Sequence, residues 1–211
     1  MRTCRYAYAQ KNEVNKLKKR LYSALIVLTM VLSLLPMNIV FAETVESGTC
    51  GDGVTWTLDS EGTLTISGSG AMEDRSSSSY SQWAWKCKSL VVESGVTYIG
   101  AYAFYNCQYL TNITIKSNVQ KIGPSAFSNC IKLMEVHLDD DIAFIESSVF
   151  YNCSSLTSIN IPKQIKTISS WTFGNCTSLE TVNIPDGIKE IGYAAFSGCI
   201  KLNKITLPDS V

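Results

Sequence analysis

Histidine is almost missing from this chain: His137 is the only one in 211 residues. A histidine-dependent triad would need a nucleophile and an acid gathered around that one imidazole, and nothing in the sequence marks such a group. No Cys-x-x-Cys pair and no cysteine–histidine cluster occurs, so a zinc site has no ligand set, and metalloprotease and phosphate-loop motifs are absent as well. Net charge is lacking too, at +0 for the whole chain. That balance conceals an asymmetry, because Arg2, Arg5, Lys11, Lys16, Lys18, Lys19 and Arg20 crowd the first residues, where Glu13 is the one acid. Residues 43–211 carry 11 basic and 17 acidic side chains, a net charge of −6. An acidic body excludes nucleic acid as the main partner, since phosphate backbones demand basic patches.

Long apolar runs are confined to residues 21–35, directly after the basic stretch. Basic residues, an apolar run, Pro36 and then Val40-Phe41-Ala42 form a secretory leader with a small-residue cleavage site. Residues 1–42 are therefore expected to be a signal peptide cut after Ala42, with an uncleaved membrane anchor as the alternative. On this reading the only membrane contact is made during export.

What the chain does have is a repeat. Phe104, Phe127, Phe150, Phe173 and Phe196 recur every 23 residues, as do Cys107, Cys130, Cys153, Cys176 and Cys199. Leu110 to Leu202, Ile113 to Ile205, Ile115 to Leu207, Val96 to Ile188 and Ile99 to Ile191 keep the same period. A degenerate first unit places Leu90 and Val92 in the strand columns, Cys87 in the leucine column and Ala84 in the cysteine column. Alternation at Ile113 and Ile115 predicts one inward-facing strand per repeat, stacked in parallel. Pro162, Pro185 and Pro208 end that strand. Gly100, Gly123 and Gly192 permit a bend into an Ala-Phe-x-x-Cys segment expected to form a short helical turn. Glu146 and Ser169 stand at the glycine position in two repeats, so a left-handed backbone is not expected there.

The unit Leu-x-x-Ile-x-Ile-Pro-x-x-Ile-x-x-Ile-Gly-x-x-Ala-Phe-x-x-Cys, fullest over Leu179–Cys199, resembles the BspA-like class of leucine-rich repeats. The resemblance covers residues 87–211. It implies an α/β-type repeat solenoid, a right-handed leucine-rich-repeat stack with a parallel β ladder and short helical turns. It also implies a bacterial cell-surface or secreted protein used in adhesion, with host matrix, another extracellular protein or a glycan as ligand. Two alternatives stand beside it: the non-catalytic targeting region of a larger secreted hydrolase, or a spacer.

Residues 46–80 lack the period, but Val54–Leu58 and Thr63–Ile66 alternate around Asp59-Ser60-Glu61-Gly62, predicting that residues 43–86 form a β-hairpin cap and linker, with Trp83 and Trp85 nearby. The serine-rich stretch from Arg75 to Ser81 is expected to be a mobile loop, and the solenoid to continue past Val211.

Eight cysteines in an exported chain suggest disulfides. Cysteines in one column of a parallel stack, however, sit about 4.8 Å apart with parallel side-chain vectors, beyond the preferred Cβ separation. They are expected as small buried apolar groups, with Cys50 and Cys87 the one pair that could bridge and Cys4 leaving with the leader. The only acidic run, Asp139-Asp140-Asp141, falls at a strand end and is read as a hydrated turn, weak calcium binding being the alternative and glycosidase chemistry the remoter one. No cofactor, metal or catalytic residue is expected. The expected ligand face is the outward strand columns: Asn112 and Thr114, Glu135 and His137, Ser158 and Asn160, Thr181 and Asn183. Aromatic candidates for binding lie near the turn at Tyr102, Tyr105, Tyr109, Tyr151, Trp171 and Tyr193.

Overall fold

The structure is a computed structural model and describes residues 43–76, 81–116 and 118–211. The expected leader over residues 1–42 lies outside the described residues, as do residues 77–80 of the serine-rich stretch.

Among the described residues there are fourteen strands, short and nearly all parallel. In chain order they are β1 (Thr44–Gly51), β2 (Val54–Asp59), β3 (Thr63–Gly68), β4 (Gly70–Ala71), β5 (Ser89–Val92), β6 (Val96–Ile99), β7 (Asn112–Ile115), β8 (Lys121–Ile122), β9 (Glu135–His137), β10 (Phe144–Ile145), β11 (Ser158–Asn160), β12 (Thr167–Ile168), β13 (Thr181–Asn183) and β14 (Glu190–Ile191). Alternation dictates the first ladder: β5 and β7 each bury every second residue, Leu90 and Val92 in one and Ile113 and Ile115 in the other. The order β1-β2-β3-β5-β7-β9 is followed by a separate pair, β11-β13. Register advances one repeat per strand, with Leu90 opposite Ile113, Ile113 opposite Val136, and Ile159 opposite Val182.

Each coil also supplies a second strand, which corrects the expectation of one. β4-β6-β8-β10 and the pair β12-β14 form a second ladder, with Ile99 opposite Ile122, Ile122 opposite Ile145, and Ile168 opposite Ile191.

The expected short helical turns are not formed; the Ala-Phe-x-x-Cys segments are turns, and no helix occurs among the described residues. The reason lies in the backbone. Tyr102, Ser125, Ser148, Trp171 and Ala194 have φ of 53–59°, and Asn106, Asn129, Asn152 and Asn175 have φ of 57–62°. Two left-handed residues per turn cannot continue a right-handed helix. Their effect is to aim alternate N–H groups along the stack. The amides of Ser125, Phe127 and Asn129 donate to the carbonyls of Ser147, Val149 and Tyr151 in the next coil at 3.0, 3.0 and 2.8 Å. Between them, Ala126, Ser128 and Cys130 donate three residues back within their own turn. This turn side is a third hydrogen-bonded ladder.

The core lies between the three sides. Phe104, Phe127, Phe150 and Phe173 are fully buried and stack with neighbouring centroids 5.1–5.7 Å apart and interplanar angles of 4–6°, and Phe196 extends the row. All seven described cysteines are free thiols, so Cys50 and Cys87 do not pair. The repeat cysteines do more than fill space. Cys130, Cys153, Cys176 and Cys199 each donate from Sγ to the carbonyl of the phenylalanine 26 residues earlier, at 3.0–3.3 Å. Burial pushes the thiols of Cys107 and Cys153 up to about 12 and that of Cys50 to about 11. Thiolate is the nucleophile, so the native protein at pH 8 should resist a disulfide reagent such as DTNB until denaturant is added, with half-buried Cys199 the first to react. Rapid stoichiometric labelling under native conditions would contradict this arrangement. The sign of the linkage also follows: a thiol pKa raised above 9.0 gives stability that is present below pH 9 and lost as pH rises toward 12.

The glycines before the turn need no left-handed backbone, as Glu146 and Ser169 in the same column lead us to expect. Gly100, Gly123 and Gly192 do not have positive φ. A Cβ at these positions would lie 2.1 Å from the Glu73 carbonyl oxygen, 2.6 Å from the Ala101 nitrogen and 2.6 Å from the Ser170 nitrogen, respectively. Glycine here permits close approach of consecutive coils.

At the N-terminal end, β2 and β3 form the expected antiparallel hairpin, with Trp56 opposite Ile66 and the Asp59 carboxylate accepting the amides of Glu61 and Thr63 at 2.9 and 2.8 Å. β3 then lies parallel to β5 on the first ladder. On the second, Met72 and Arg75 donate to Tyr98 and Ala101, and Asp74 accepts both the Ala101 amide and the Tyr98 hydroxyl at 2.7 Å. Trp83 closes the phenylalanine row, stacked on Phe104 at 5.3 Å and edge-on to Trp56 at 5.7 Å. Both ends of the expected mobile loop are tied down, Arg75 by its backbone bond and buried Ser81 by a 3.3 Å contact with the Cys107 thiol.

Candidate binding face

Because the inward strand positions are apolar, the residues between them must face out, and the first ladder sets them in rows. Asn112 lies in register between Ser89 and Glu135, and Thr114 stands beside His137. Ser158 stands beside Thr181, and Asn160 beside Asn183. Glu135, His137, Ser158, Asn160, Thr181 and Asn183 are exposed, whereas Asn112 and Thr114 are half-buried. The Asn112 amide is partly used within the protein, its Oδ1 accepting the Ser89 hydroxyl at 2.6 Å and its Nδ2 donating to Thr111 at 3.2 Å.

The eight positions divide between two stretches of the ladder. Ser158, Asn160, Thr181 and Asn183 converge on a cleft of about 340 Å³, floored by Ile159, Val182 and Ile184 and flanked by Asp186, Thr206 and Pro208. A neighbouring hollow of about 510 Å³ continues from Thr181 and Thr206 to Glu180, Lys201 and Lys204. Asn112, Thr114, Glu135 and His137 line neither. Asp186 is the lining residue that the strand columns could not reveal: it follows Pro185 in a pair that varies between repeats. The cleft pairs hydroxyl and amide groups, which both donate and accept, with a single carboxylate over an apolar floor. Such a set suits hydrogen-bonding ligands of low charge.

The acidic run is engaged within the fold. Asp139 accepts the Asp141 amide, Asp141 accepts the Asn118 amide, and Asp140 pairs with the Lys163 backbone and ammonium groups. That pairing holds the Asp140 carboxyl below its ordinary range. Of the aromatic candidates, Tyr109 and Tyr193 are exposed; Tyr102, Tyr105, Tyr151 and Trp171 are half-buried. Trp171 packs edge-to-face with both Tyr151 and Tyr193.

Residues 76–203 match the BspA type leucine rich repeat region in six copies. A leucine-rich repeat protein from Bacteroides ovatus is 30% identical over 71% of this chain, with a TM-score of 0.60. A leucine rich cell surface protein from Faecalibacterium prausnitzii is 26% identical over 78% of the chain, with a TM-score of 0.55. The leucine rich repeat protein of T. pallidum is 28% identical over 76% of the chain and 71% of its own length, with a TM-score of 0.58. The chain spans only 38% and 55% of the first two relatives. No curated protein matches. Period, stacked ladders and these matches agree, and the chain belongs to the BspA-type leucine-rich repeat family.

Proposed function

We propose that this chain is a non-catalytic binding module, exported by its first 42 residues to the cell surface or beyond, that holds an extracellular protein or glycan against its strand face. The observation that carries the reading is the cleft in which Ser158, Asn160, Thr181 and Asn183 present neutral donors and acceptors above an apolar floor. Support for the location comes from the basic-then-apolar leader and from the Faecalibacterium prausnitzii relative, which is described as a cell surface protein. Adhesion to host matrix is the role this arrangement fits.

The test is capture of host matrix proteins and glycans on a surface carrying the full chain, compared with a variant combining Asn160→Ala and Asn183→Ala. Both side chains are exposed, so the fold should survive. Loss of their hydrogen bonds should weaken capture roughly tenfold or more. Equal capture by both proteins would move the site off this face.

A further inference from the structure

Both strand ladders stop at the same level of the stack. Among the described residues no pairing joins β9 to β11, and none joins β10 to β12. The turn side is unbroken there. Ser148, Phe150 and Asn152 donate to Ser170, Thr172 and Gly174 at 3.0, 2.9 and 2.7 Å, and Phe150 still stacks on Phe173 at 5.7 Å.

The break coincides with Ser169 in the glycine column. Where glycine is present the coils close tightly: the Gly123 amide reaches the Ile99 carbonyl at 2.8 Å, and the Gly192 amide reaches Ile168 at 2.7 Å. Glu146 occupies the column in the next coil, and its amide bond to Ile122 lengthens to 3.1 Å. Ser169 follows, and here the Ile145 carbonyl takes the serine hydroxyl, at 2.6 Å. A Cβ at Gly192 would fall 2.6 Å from the backbone of the preceding coil, yet Glu146 carries one while its coil stays paired through β8 and β10. It is therefore the Ser169 hydroxyl, taking the carbonyl that an amide takes elsewhere, that sets this coil apart. A hollow of about 230 Å³ opens between β10 and β12, lined by Phe144, Ile145, Glu146, Lys166, Thr167 and Ser169. Side chains span the gap in place of backbone: the Ser155 hydroxyl donates to the Ile131 carbonyl at 2.7 Å, and Lys163 pairs with Asp140.

We propose that the solenoid is jointed at this level, with the Ser169 side chain as the wedge and the turn side as the hinge line. Opening and closing the joint changes the angle between the surface bearing Glu135 and His137 and the surface bearing Ser158 and Asn160. The binding face is thus two plates whose inclination adapts to what they hold. The joint does not depend on which ligand binds, or on whether the cleft is the site.

Hydrogen exchange on the full chain, read by mass spectrometry, tests it. Ser169→Gly removes the wedge, so amides in residues 157–161 and 166–169 should exchange roughly tenfold more slowly, as expected when an open ladder closes. Ser169→Ala removes the hydroxyl and keeps a Cβ, as Glu146 does in its paired coil, so the same amides should slow by a smaller factor. Residues 189–192, beyond the next tight junction, should not respond to either change. Parent-like exchange in the glycine variant, or faster exchange in the alanine variant, would overturn the joint. Should Ser169→Gly fail to fold, Gly192→Ser decides the matter, since a new wedge must loosen residues 189–192 and unchanged exchange there would refute the mechanism.

Discussion

Phe150→Ala is expected to lower the unfolding free energy by about 3–5 kcal/mol, the usual cost of removing a buried aromatic ring from a core that cannot collapse. The ring is fully buried, and it stacks on Phe127 at 5.6 Å and on Phe173 at 5.7 Å, so the cavity would interrupt a row rather than lie at its edge. Its position enlarges the effect. Phe150 sits at the level where both strand ladders lapse, and there the coils are held by the turn side, the core and a few side-chain bridges. Repeat proteins derive stability from contacts between neighbours. Weakening this junction should therefore broaden the urea transition or divide it in two. Phe144→Ala is the matched control. That phenylalanine is six positions earlier but 62% exposed, and its removal should stay within about 0.5 kcal/mol. Similar losses in the two variants would show that the buried row is not what carries the stack.

Trp83→Ala should cost a comparable amount, about 3–5 kcal/mol, by a different route. Trp83 does not belong to the 23-residue period, yet it occupies the end of the phenylalanine row. It faces Phe104 on one side and Trp56 of the N-terminal sheet on another, while the Arg75 guanidinium lies 5.2 Å from its ring centroid. Removing it would expose Phe104 and free the segment that joins the hairpin to the first coil. Limited proteolysis should then cut between residues 72 and 88 while the later coils stay protected. An unchanged melting curve with no new cleavage would mean that the first ladder alone holds the cap.

Much of this architecture could be read in the sequence, because the inward columns recur at a fixed interval and a buried position tolerates few side chains. Phe104 to Phe173, Leu110 to Leu179 and Val119 to Ile188 are all buried, as the period required. The second ladder was not legible, since pairs such as Lys121–Ile122 and Thr167–Ile168 are too short to show alternation. Nor were the left-handed turns, although their signal was present. Asn106, Asn129, Asn152 and Asn175, with Gly198 after them, place in one column the two residue types that best tolerate positive φ. In the sequence the short segment around that column reads as a helical turn.

The candidate face was legible in half. Alternation places all eight candidate side chains outward, but it cannot show that the ladder breaks between His137 and Ser158, so that only four of them share a cleft. The mark of the break was visible as Ser169 in a glycine column. Its meaning depends on how near the neighbouring coil comes, which no single chain segment records.

The turn side gives every coil a row of studs on one flank and a row of sockets on the other, three outgoing amides meeting three waiting carbonyls. Parts made this way are interchangeable. A whole coil can be copied or excised and the fresh seam will still mate, so the length of such a protein is free to drift between generations of the gene while its cross-section is conserved.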